Sequence, residues 1–141
     1  MVKRVLFVCN LNSVRSPMAA AILAREGAPA ILVDSAGVYE GGADPFIGQV
    51  LDEIGVSLGD YEPKALSDVD VTRFDVVVAL TPEAAAEARK LLPANRIEFW
   101  PTDNPSDVRG GEDALFDAYR AVRDELRSRI RARFLAEKKQ P

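Results

Sequence analysis

One segment holds the only cysteine of this 141-residue chain, six positions before an arginine, and it reads Cys9-Asn10-Leu11-Asn12-Ser13-Val14-Arg15-Ser16-Pro17. It follows Arg4-Val5-Leu6-Phe7-Val8, a β-branched and aromatic run that is typical of a strand buried on both faces. Ser16 and Pro17 are typical of a helix start, with Ser16 as the cap and Pro17 at the first helical position. The pattern predicts a strand, a tight loop and a helix in direct succession.

A loop of this kind is suited to binding an oxyanion. Several of its backbone N–H groups can turn inward, and the dipole of the following helix adds positive potential at the same point. This field favours a thiolate at Cys9, which makes Cys9 the expected nucleophile, and Arg15 offers a planar fork for two phosphoryl oxygens. Cys9 and Arg15 are therefore catalytic candidates. The predicted oxyanion-binding residues are those of the loop and the helix start: Asn10, Leu11, Asn12, Ser13, Val14, Arg15 and Ser16.

The same residues also have a purely structural interpretation. A lone cysteine at a strand end is commonly a small buried hydrophobic residue, and Arg15 could be an ordinary surface charge. Asn12 favours the functional interpretation, because asparagine tolerates the left-handed backbone that a tight loop often needs. The spacing of Cys9 and Arg15 between a strand and a helix start favours it further.

Short apolar runs alternate with helical stretches along the chain, which indicates a parallel sheet covered on both faces. The predicted strands are Val5 to Val8, Ile31 to Asp34, Val76 to Leu80 and Ile97 to Phe99. The predicted helices are Pro17 to Glu26, Asp44 to Ile54, Pro82 to Leu92 and Glu112 to Ala136. The sequence predicts an α/β fold, a doubly wound four-stranded parallel sheet, in a single domain over residues 1–141. Ligands of such folds bind beyond the carboxyl ends of strands, where Cys9 lies.

The composition excludes several other classes of protein. The chain has no histidine, which excludes a Ser-His-Asp or Cys-His enzyme, and one cysteine allows neither an internal disulfide nor a thiolate zinc site. We expect neither a metal nor a cofactor. A free thiol fits a reducing compartment, so we expect a cytoplasmic protein without signal peptide or transmembrane segment. The net charge of −4 argues against nucleic-acid binding, and the arginines of the last predicted helix are typical of a solvated face.

The loop resembles that of the low-molecular-weight protein tyrosine phosphatase family and of its arsenate reductase-related branch. The family pattern is a Cys, five residues, an Arg and a Ser or Thr, with an Asn three positions after the Cys; Cys9, Asn12, Arg15 and Ser16 match it. The resemblance covers nearly the whole chain through Val33-Asp34-Ser35-Ala36-Gly37, Phe74-Asp75-Val76-Val77-Val78, Trp100-Pro101-Thr102 and Tyr119-Arg120-Ala121-Val122-Arg123-Asp124. It implies that the cysteine attacks phosphorus, the arginine binds phosphoryl oxygens, and the serine hydroxyl stabilises the thiolate.

Two positions depart from the family pattern. Its general acid is an Asp directly before a Pro, whereas this chain has Asp103-Asn104-Pro105, so Asn104 occupies the acid's place. Because an amide cannot donate the proton, we assign the acid role to Asp103, with Asp107 as an alternative. The stretch is equally typical of a turn with no role in proton transfer. The second departure is Tyr61, where many members of the family carry a histidine.

The loop after the second predicted strand contributes two further candidates. By the resemblance, Ser35 braces Asn12 of the oxyanion loop. Tyr39 is either a wall of the substrate cleft or an exposed loop aromatic.

We expect the chain to hydrolyse a phosphomonoester, in particular a protein tyrosine phosphate, through a phosphocysteine intermediate. The expected partners are phosphorylated proteins, small phosphomonoesters and oxyanions such as phosphate, sulfate or arsenate, with no nucleic acid and no membrane. Three alternatives stay open: arsenate reduction with an external low-molecular-weight thiol, phosphoryl transfer to a partner, and a catalytically impaired oxyanion- or phosphotyrosine-binding module.

Overall fold

Four strands form one parallel sheet in the computed structural model, which describes residues 2–135. The strands are β1 (Arg4–Cys9), β2 (Leu32–Gly37), β3 (Val76–Ala79) and β4 (Ile97–Phe99). Their order in the sheet is β2-β1-β3-β4, and every neighbouring pair is parallel. The sheet therefore winds outward in both directions from β1 and β3, and the predicted fold class is confirmed.

Helices cover both faces of this sheet. Within the described residues they are α1 (Arg15–Glu26), α2 (Ile47–Asp52), α3 (Pro82–Arg89) and α4 (Glu112–Ile130), and α4 continues into a π-helical turn at Arg131–Leu135. Because side chains alternate along a strand, β1 serves two cores: Val5 and Phe7 pack with α1, α2 and α4, while Leu6 and Val8 pack with α3. None of these helices is long and apolar enough to cross a membrane.

Helix α1 begins two residues earlier than predicted, and Ser16 is not its cap. The helix starts at Arg15, and the residue before it, Val14, makes no side-chain capping bond. The Ser16 hydroxyl is engaged by partners inside the loop, so it is not available to the helix end. Pro17 consequently lies in the first turn at the third helical position, where its missing N–H is still not needed.

Strand β2 is longer than predicted and ends at Gly37, which pairs with Cys9. A Cβ at Gly37 would lie 2.6 Å from the Asn12 nitrogen and 2.5 Å from the Tyr39 carbonyl oxygen. A side chain there would thus collide with the loop that follows β1. Glycine at this position lets β2 run close alongside that loop.

The other predicted helices also have different bounds in the structure. Helix α3 begins at Pro82 as predicted but ends at Arg89 instead of Leu92, because the N–H groups of Lys90 and Leu91 bond to carbonyls three residues back and close the helix with a turn. Helix α2 is shorter than Asp44 to Ile54, because the Asp44 carboxylate accepts a 2.7 Å bond from the Phe46 N–H and holds a turn ahead of the helix. The predicted end of the last helix at Ala136 lies outside the described residues.

The arginines of the last helix do not form only a solvated face. Arg120 and Arg123 bind the carboxylate of Glu53 at 2.8 and 2.6 Å, and Arg123 is only 8% exposed. These two guanidinium groups lower the pKa of Glu53 to about 2. Glu26 of α1 binds two further arginines of this region, Arg127 and Arg131. The ion pairs connect α4 to α1 and to the end of α2.

Candidate active site

The loop between β1 and α1 leaves a row of backbone N–H groups without protein acceptors. Its carbonyls are paired: those of Cys9, Asn10 and Leu11 accept bonds of 2.9, 2.8 and 3.0 Å from the amides of residues 38, 39 and 41. In the described part of the chain, no hydrogen bond uses the amide N–H of residues 11–16 as donor. These amides sit beside the N-terminus of α1, where the helix dipole is positive. The loop is a ready oxyanion-binding site.

Cys9 lies at the base of this loop, and only 2% of the surface of this residue is exposed. The Ser16 hydroxyl oxygen is 3.0 Å from Cys9 Sγ and 3.3 Å from the carbonyl oxygen of Ala36. Both residues are buried, so the hydroxyl is a fixed polar neighbour of the sulfur. A hydroxyl in this position can donate to a thiolate and stabilise its charge.

Asn12 is the buried centre of the loop's hydrogen bonds. Its backbone has φ of 54°, the left-handed conformation that asparagine tolerates. Its side-chain amide donates to the Ser16 hydroxyl at 2.8 Å, and its side-chain oxygen accepts from the Lys64 N–H at 3.0 Å. Its main-chain carbonyl accepts a short bond from the Tyr61 hydroxyl. The residue is therefore held at both its backbone and its side chain.

The bracing that the resemblance assigned to Ser35 is made by other residues. Ser35 is buried, its N–H donates to the Asp34 carboxylate, and no hydrogen bond within residues 2–135 joins its side chain to Asn12. Tyr61 and Lys64 brace Asn12 instead, because each donates to one of its two oxygens. The sequence pointed to Tyr61, because it departs from the family pattern. It did not point to Lys64, because Lys64 contacts Asn12 through its main-chain N–H.

Arg15 is held against the loop that follows β4. Its guanidinium donates to the Thr102 carbonyl at 2.9 Å, and it lines the same cleft as Cys9. One nitrogen is thus anchored to the protein, while other N–H groups of the fork are left for a ligand. The contact holds the charge of Arg15 at the cleft that Cys9 also lines.

A cleft of about 750 Å³ opens above the loop. Its rim carries two exposed hydrophobic side chains, Leu11 at 49% and Tyr39 at 69% exposure. The other cleft residues come from the loop, from the segment before α2, from α3 and from the turn after β4: Cys9, Asn10, Ser13, Val14, Arg15, Val38, Gly42, Ala43, Asp44, Pro45, Glu83, Ala86, Glu87, Asn104 and Ser106. A phosphoryl group at the loop would place its ester substituent among these walls.

The structure brings Asn104 to the cleft and leaves Asp103 outside it. Asn104 is half-buried and lines the wall, whereas Asp103 and Asp107 are exposed and do not. The Asn104 side-chain oxygen accepts from the N–H and the hydroxyl of Ser106 at 3.1 and 2.8 Å, which caps the 3-10 turn Pro105–Asp107. This local turn fixes the backbone so that Asp103 faces solvent. The residues from 103 to 107 therefore form the turn that their composition predicts, and neither Asp103 nor Asp107 contributes a carboxylate to the cleft lining.

Comparisons with known proteins place the chain in a family. The model described as "Low molecular weight phosphotyrosine protein phosphatase" matches residues 4–140. An arsenate reductase of Bacillus subtilis is 27% identical over 129 residues, which is 92% of this chain and 93% of that protein.

Two solved structures are similar over most of their length. A low-molecular-weight protein tyrosine phosphatase from T. tengcongensis is 26% identical with a TM-score of 0.79, covering 96% of this chain and 99% of that one. An arginine phosphatase from Geobacillus stearothermophilus is 29% identical with a TM-score of 0.79, covering 96% and 92%. With the family model matching almost the whole chain, the resemblance that the loop residues carried is confirmed: this chain belongs to the low-molecular-weight phosphotyrosine protein phosphatase family.

Proposed function

We propose that the chain hydrolyses phosphomonoesters through a phosphocysteine formed on Cys9. The observation that carries the proposal is a buried cysteine with a hydroxyl 3.0 Å from its sulfur, at the base of a loop of unpaired amides. In the first step the Cys9 thiolate attacks phosphorus, an S–P bond forms, and the ester P–O bond breaks. In the second step water attacks the phosphocysteine, the S–P bond breaks, and inorganic phosphate leaves.

The other loop residues stabilise the charge that spreads over the phosphoryl oxygens. The amides of residues 11–16 and the guanidinium of Arg15 donate to these oxygens, and preorganised donors of this kind supply the largest part of many rate enhancements. The Ser16 hydroxyl stabilises the thiolate when Cys9 leaves in the second step. No cofactor takes part in this scheme.

The leaving oxygen must also receive a proton, and here the chain has an amide where its family has an acid. Asp103 remains our prediction for the donor, although it is exposed and would have to turn into the cleft to act. We therefore expect the rate to depend strongly on the basicity of the leaving group. For the substrate we propose a phosphotyrosine of a protein, because the rim residues Leu11 and Tyr39 can contact an aromatic ring.

The test compares two esters with leaving groups of different basicity, para-nitrophenyl phosphate and phosphotyrosine, at about pH 6. We expect both to be hydrolysed, the nitrophenyl ester faster, and Cys9→Ser to abolish both activities. Hydrolysis of only the nitrophenyl ester would mean that the nucleophile works but no donor reaches the leaving group. If neither ester turns over, the proposed function is wrong.

Arsenate reduction is a second candidate, because several curated relatives carry the name arsenate reductase at 27–29% identity. The Cys9 thiolate would attack arsenic, an As–O bond would break with loss of that oxygen as water, and an S–As bond would form. An external thiol would then attack the Cys9 sulfur, the S–As bond would break, and its electron pair would leave with arsenic as arsenite. A second thiol would reduce the resulting mixed disulfide, because this chain has no other cysteine to do so. Arsenate-dependent oxidation of glutathione tests this candidate. If the chain hydrolyses esters but arsenate causes no oxidation of glutathione, arsenate reduction is excluded.

A further inference from the structure

The segment from Tyr61 to Lys64 holds the oxyanion loop from behind. The Tyr61 hydroxyl donates to the main-chain carbonyl of Asn12, and the Lys64 N–H donates to its side-chain oxygen at 3.0 Å. The segment is itself fixed to β2, because the Lys64 carbonyl accepts from the Gly37 N–H at 2.9 Å and its ammonium group binds Asp34 at 2.6 Å. Both oxygens of Asn12 thus accept hydrogen bonds from a segment that is itself fixed to β2.

A continuous series of short contacts leads from Asn12 to the nucleophile. The Asn12 side-chain amide donates to the Ser16 hydroxyl at 2.8 Å, and that hydroxyl lies 3.0 Å from Cys9 Sγ. Since the amide occupies one acceptor site of the hydroxyl, the hydroxyl proton is left for the sulfur or for the Ala36 carbonyl at 3.3 Å. The orientation of Asn12 therefore determines how Ser16 faces Cys9.

We propose that Tyr61 is a positioning residue for Cys9, acting through Asn12 and Ser16. Its hydroxyl offsets the backbone cost of the left-handed conformation that Asn12 adopts at φ of 54°. Tyr61 is partly buried, and this burial raises its pKa well above the ordinary value, with the nearby charges of Cys9 and Asp44 adding to the effect. The phenol therefore keeps its proton and its donor role at any pH at which the enzyme is assayed. The catalytic meaning of this role rests on the proposed function, but the geometric role does not.

The test removes the hydroxyl in Tyr61→Phe and uses Tyr119→Phe as the matched control. Tyr119 is also a buried tyrosine, and its hydroxyl donates to Asp44 at 2.7 Å without touching Asn12. The readout is the rate at which iodoacetamide alkylates Cys9, followed by mass across a pH series, because the chain has no other thiol. We expect Tyr61→Phe to be alkylated about ten-fold more slowly at about pH 6, the effect of losing one hydrogen bond, with its profile moved to higher pH.

Two further measurements keep the result unambiguous. Inorganic phosphate should raise the Tm of the wild type and of Tyr119→Phe, and raise that of Tyr61→Phe by less. Tyr61→His returns a side-chain donor at the same place, and we expect it to recover part of the alkylation rate. An alkylation rate and phosphate response of Tyr61→Phe equal to those of the wild type would overturn the proposal, as would a Tyr61→His variant as slow as Tyr61→Phe.

Failure of the proposed function has a different signature. A wild type that hydrolyses neither ester would refute the phosphatase assignment, while its Cys9 alkylation would still report whether Tyr61 positions the loop. If Tyr61→Phe and Tyr119→Phe lower the Tm and the Cys9 alkylation rate equally, the cause is a general loss of stability. That result would contradict a specific role of Tyr61.

Discussion

The two sides of the cleft are held in place in different ways. The loop from Cys9 to Ser16 is fixed by contacts with residues far away in the chain: Tyr61 and Lys64 bind Asn12, and the Thr81 hydroxyl donates to the Asn10 side chain at 2.7 Å. The turn at residues 104–107 is instead capped by Asn104 itself, whose side-chain oxygen accepts from Ser106, two residues further on. The difference teaches that the half of the site with the proposed nucleophile is built into the fold, whereas the half at Asn104, where the family has its acid, rests on a local turn.

This contrast implies that the two halves of the reaction can be altered separately. A change in the loop should affect every substrate, because each one needs the nucleophile and the oxyanion contacts. A change in the turn should affect only substrates whose leaving group needs a proton. Arg15 is the direct link between the halves, since it belongs to the loop side and donates to the Thr102 carbonyl on the other side.

The largest effect is expected for Arg15→Ala. It removes the charged fork from the phosphoryl oxygens and the contact with Thr102, and we expect kcat on both esters to fall about 10³-fold. Arg15→Lys keeps the charge without the planar fork and should remain far below the wild type. Arg109→Ala is the matched control, because Arg109 is exposed and outside the cleft lining. Steady-state rates and inhibition by inorganic phosphate measure the effect; a rate kept within a few-fold by Arg15→Ala would contradict the assigned role.

The next largest effect is a gain, expected for Asn104→Asp. It puts a carboxyl at a cleft position directly before Pro105, and a carboxyl oxygen can still accept from Ser106 and cap the turn. We expect the rate on phosphotyrosine to rise about 10²-fold, with little change on para-nitrophenyl phosphate, because only the basic leaving group needs the proton. Ser106→Asp adds the same charge at a neighbouring cleft position and should give no gain. Equal gains on both esters, or none, would show that the lack of a carboxyl at residue 104 is not what limits the rate.

The strand, the loop and the presence of a helix after the loop could be predicted because each depends on its own residue types. The apolar run from Val5 to Val8 and the left-handed tolerance of Asn12 are local properties, and the structure has both a strand and φ of 54° there. The doubly wound class followed in the same way from alternating elements. Ser16 was wrongly predicted as a helix cap, because a tertiary contact with Cys9 and Asn12 competes with the local one.

The remaining features depend on partners that no local pattern identifies. Lys64 binds Asn12 through an N–H that almost any residue would offer, so its type carries no signal. The arginines of α4 were predicted to be solvated, since their carboxylate partners Glu26 and Glu53 lie about 70 to 105 residues away. Asp103 was assigned to the acid role through the family resemblance, as the carboxylate next to Asn104 and Pro105, and the structure leaves it outside the cleft lining.

Gly37→Ala tests whether the loop side depends on close packing against β2. The added Cβ would meet backbone atoms at 2.5 to 2.7 Å, and backbone cannot move aside as a flexible side chain can. We expect the free energy of unfolding to fall by about 2 kcal/mol and Cys9 alkylation to slow, because the loop must shift. Gly48→Ala is the control: its Cβ has only an ordinary 3.9 Å contact, and alanine favours the helix in which it lies. Denaturant unfolding decides between them, and equal stability of the two variants would remove close packing as the reason for Gly37.

The smallest effect is expected far from both halves, in Glu53→Gln. Hydrogen bonds from Arg120 and then Arg123 lower the pKa of Glu53 to about 2, so the carboxylate stabilises the fold at pH values above its unfolded pKa, and this contribution is lost as the pH falls toward 2. Glu53→Gln should therefore be less stable than the wild type at neutral pH, and the gap should close between about pH 4.5 and 2. Asp52→Asn removes a neighbouring exposed carboxylate that has no ion pair among residues 2–135, and should show no such trend. Denaturant unfolding of the three proteins across this pH range measures the stability gap.

Because Glu53 lies outside the cleft, both ester activities of Glu53→Gln should persist at neutral pH. A selective loss of one activity would mean that the scaffold does not support the two halves of the site equally.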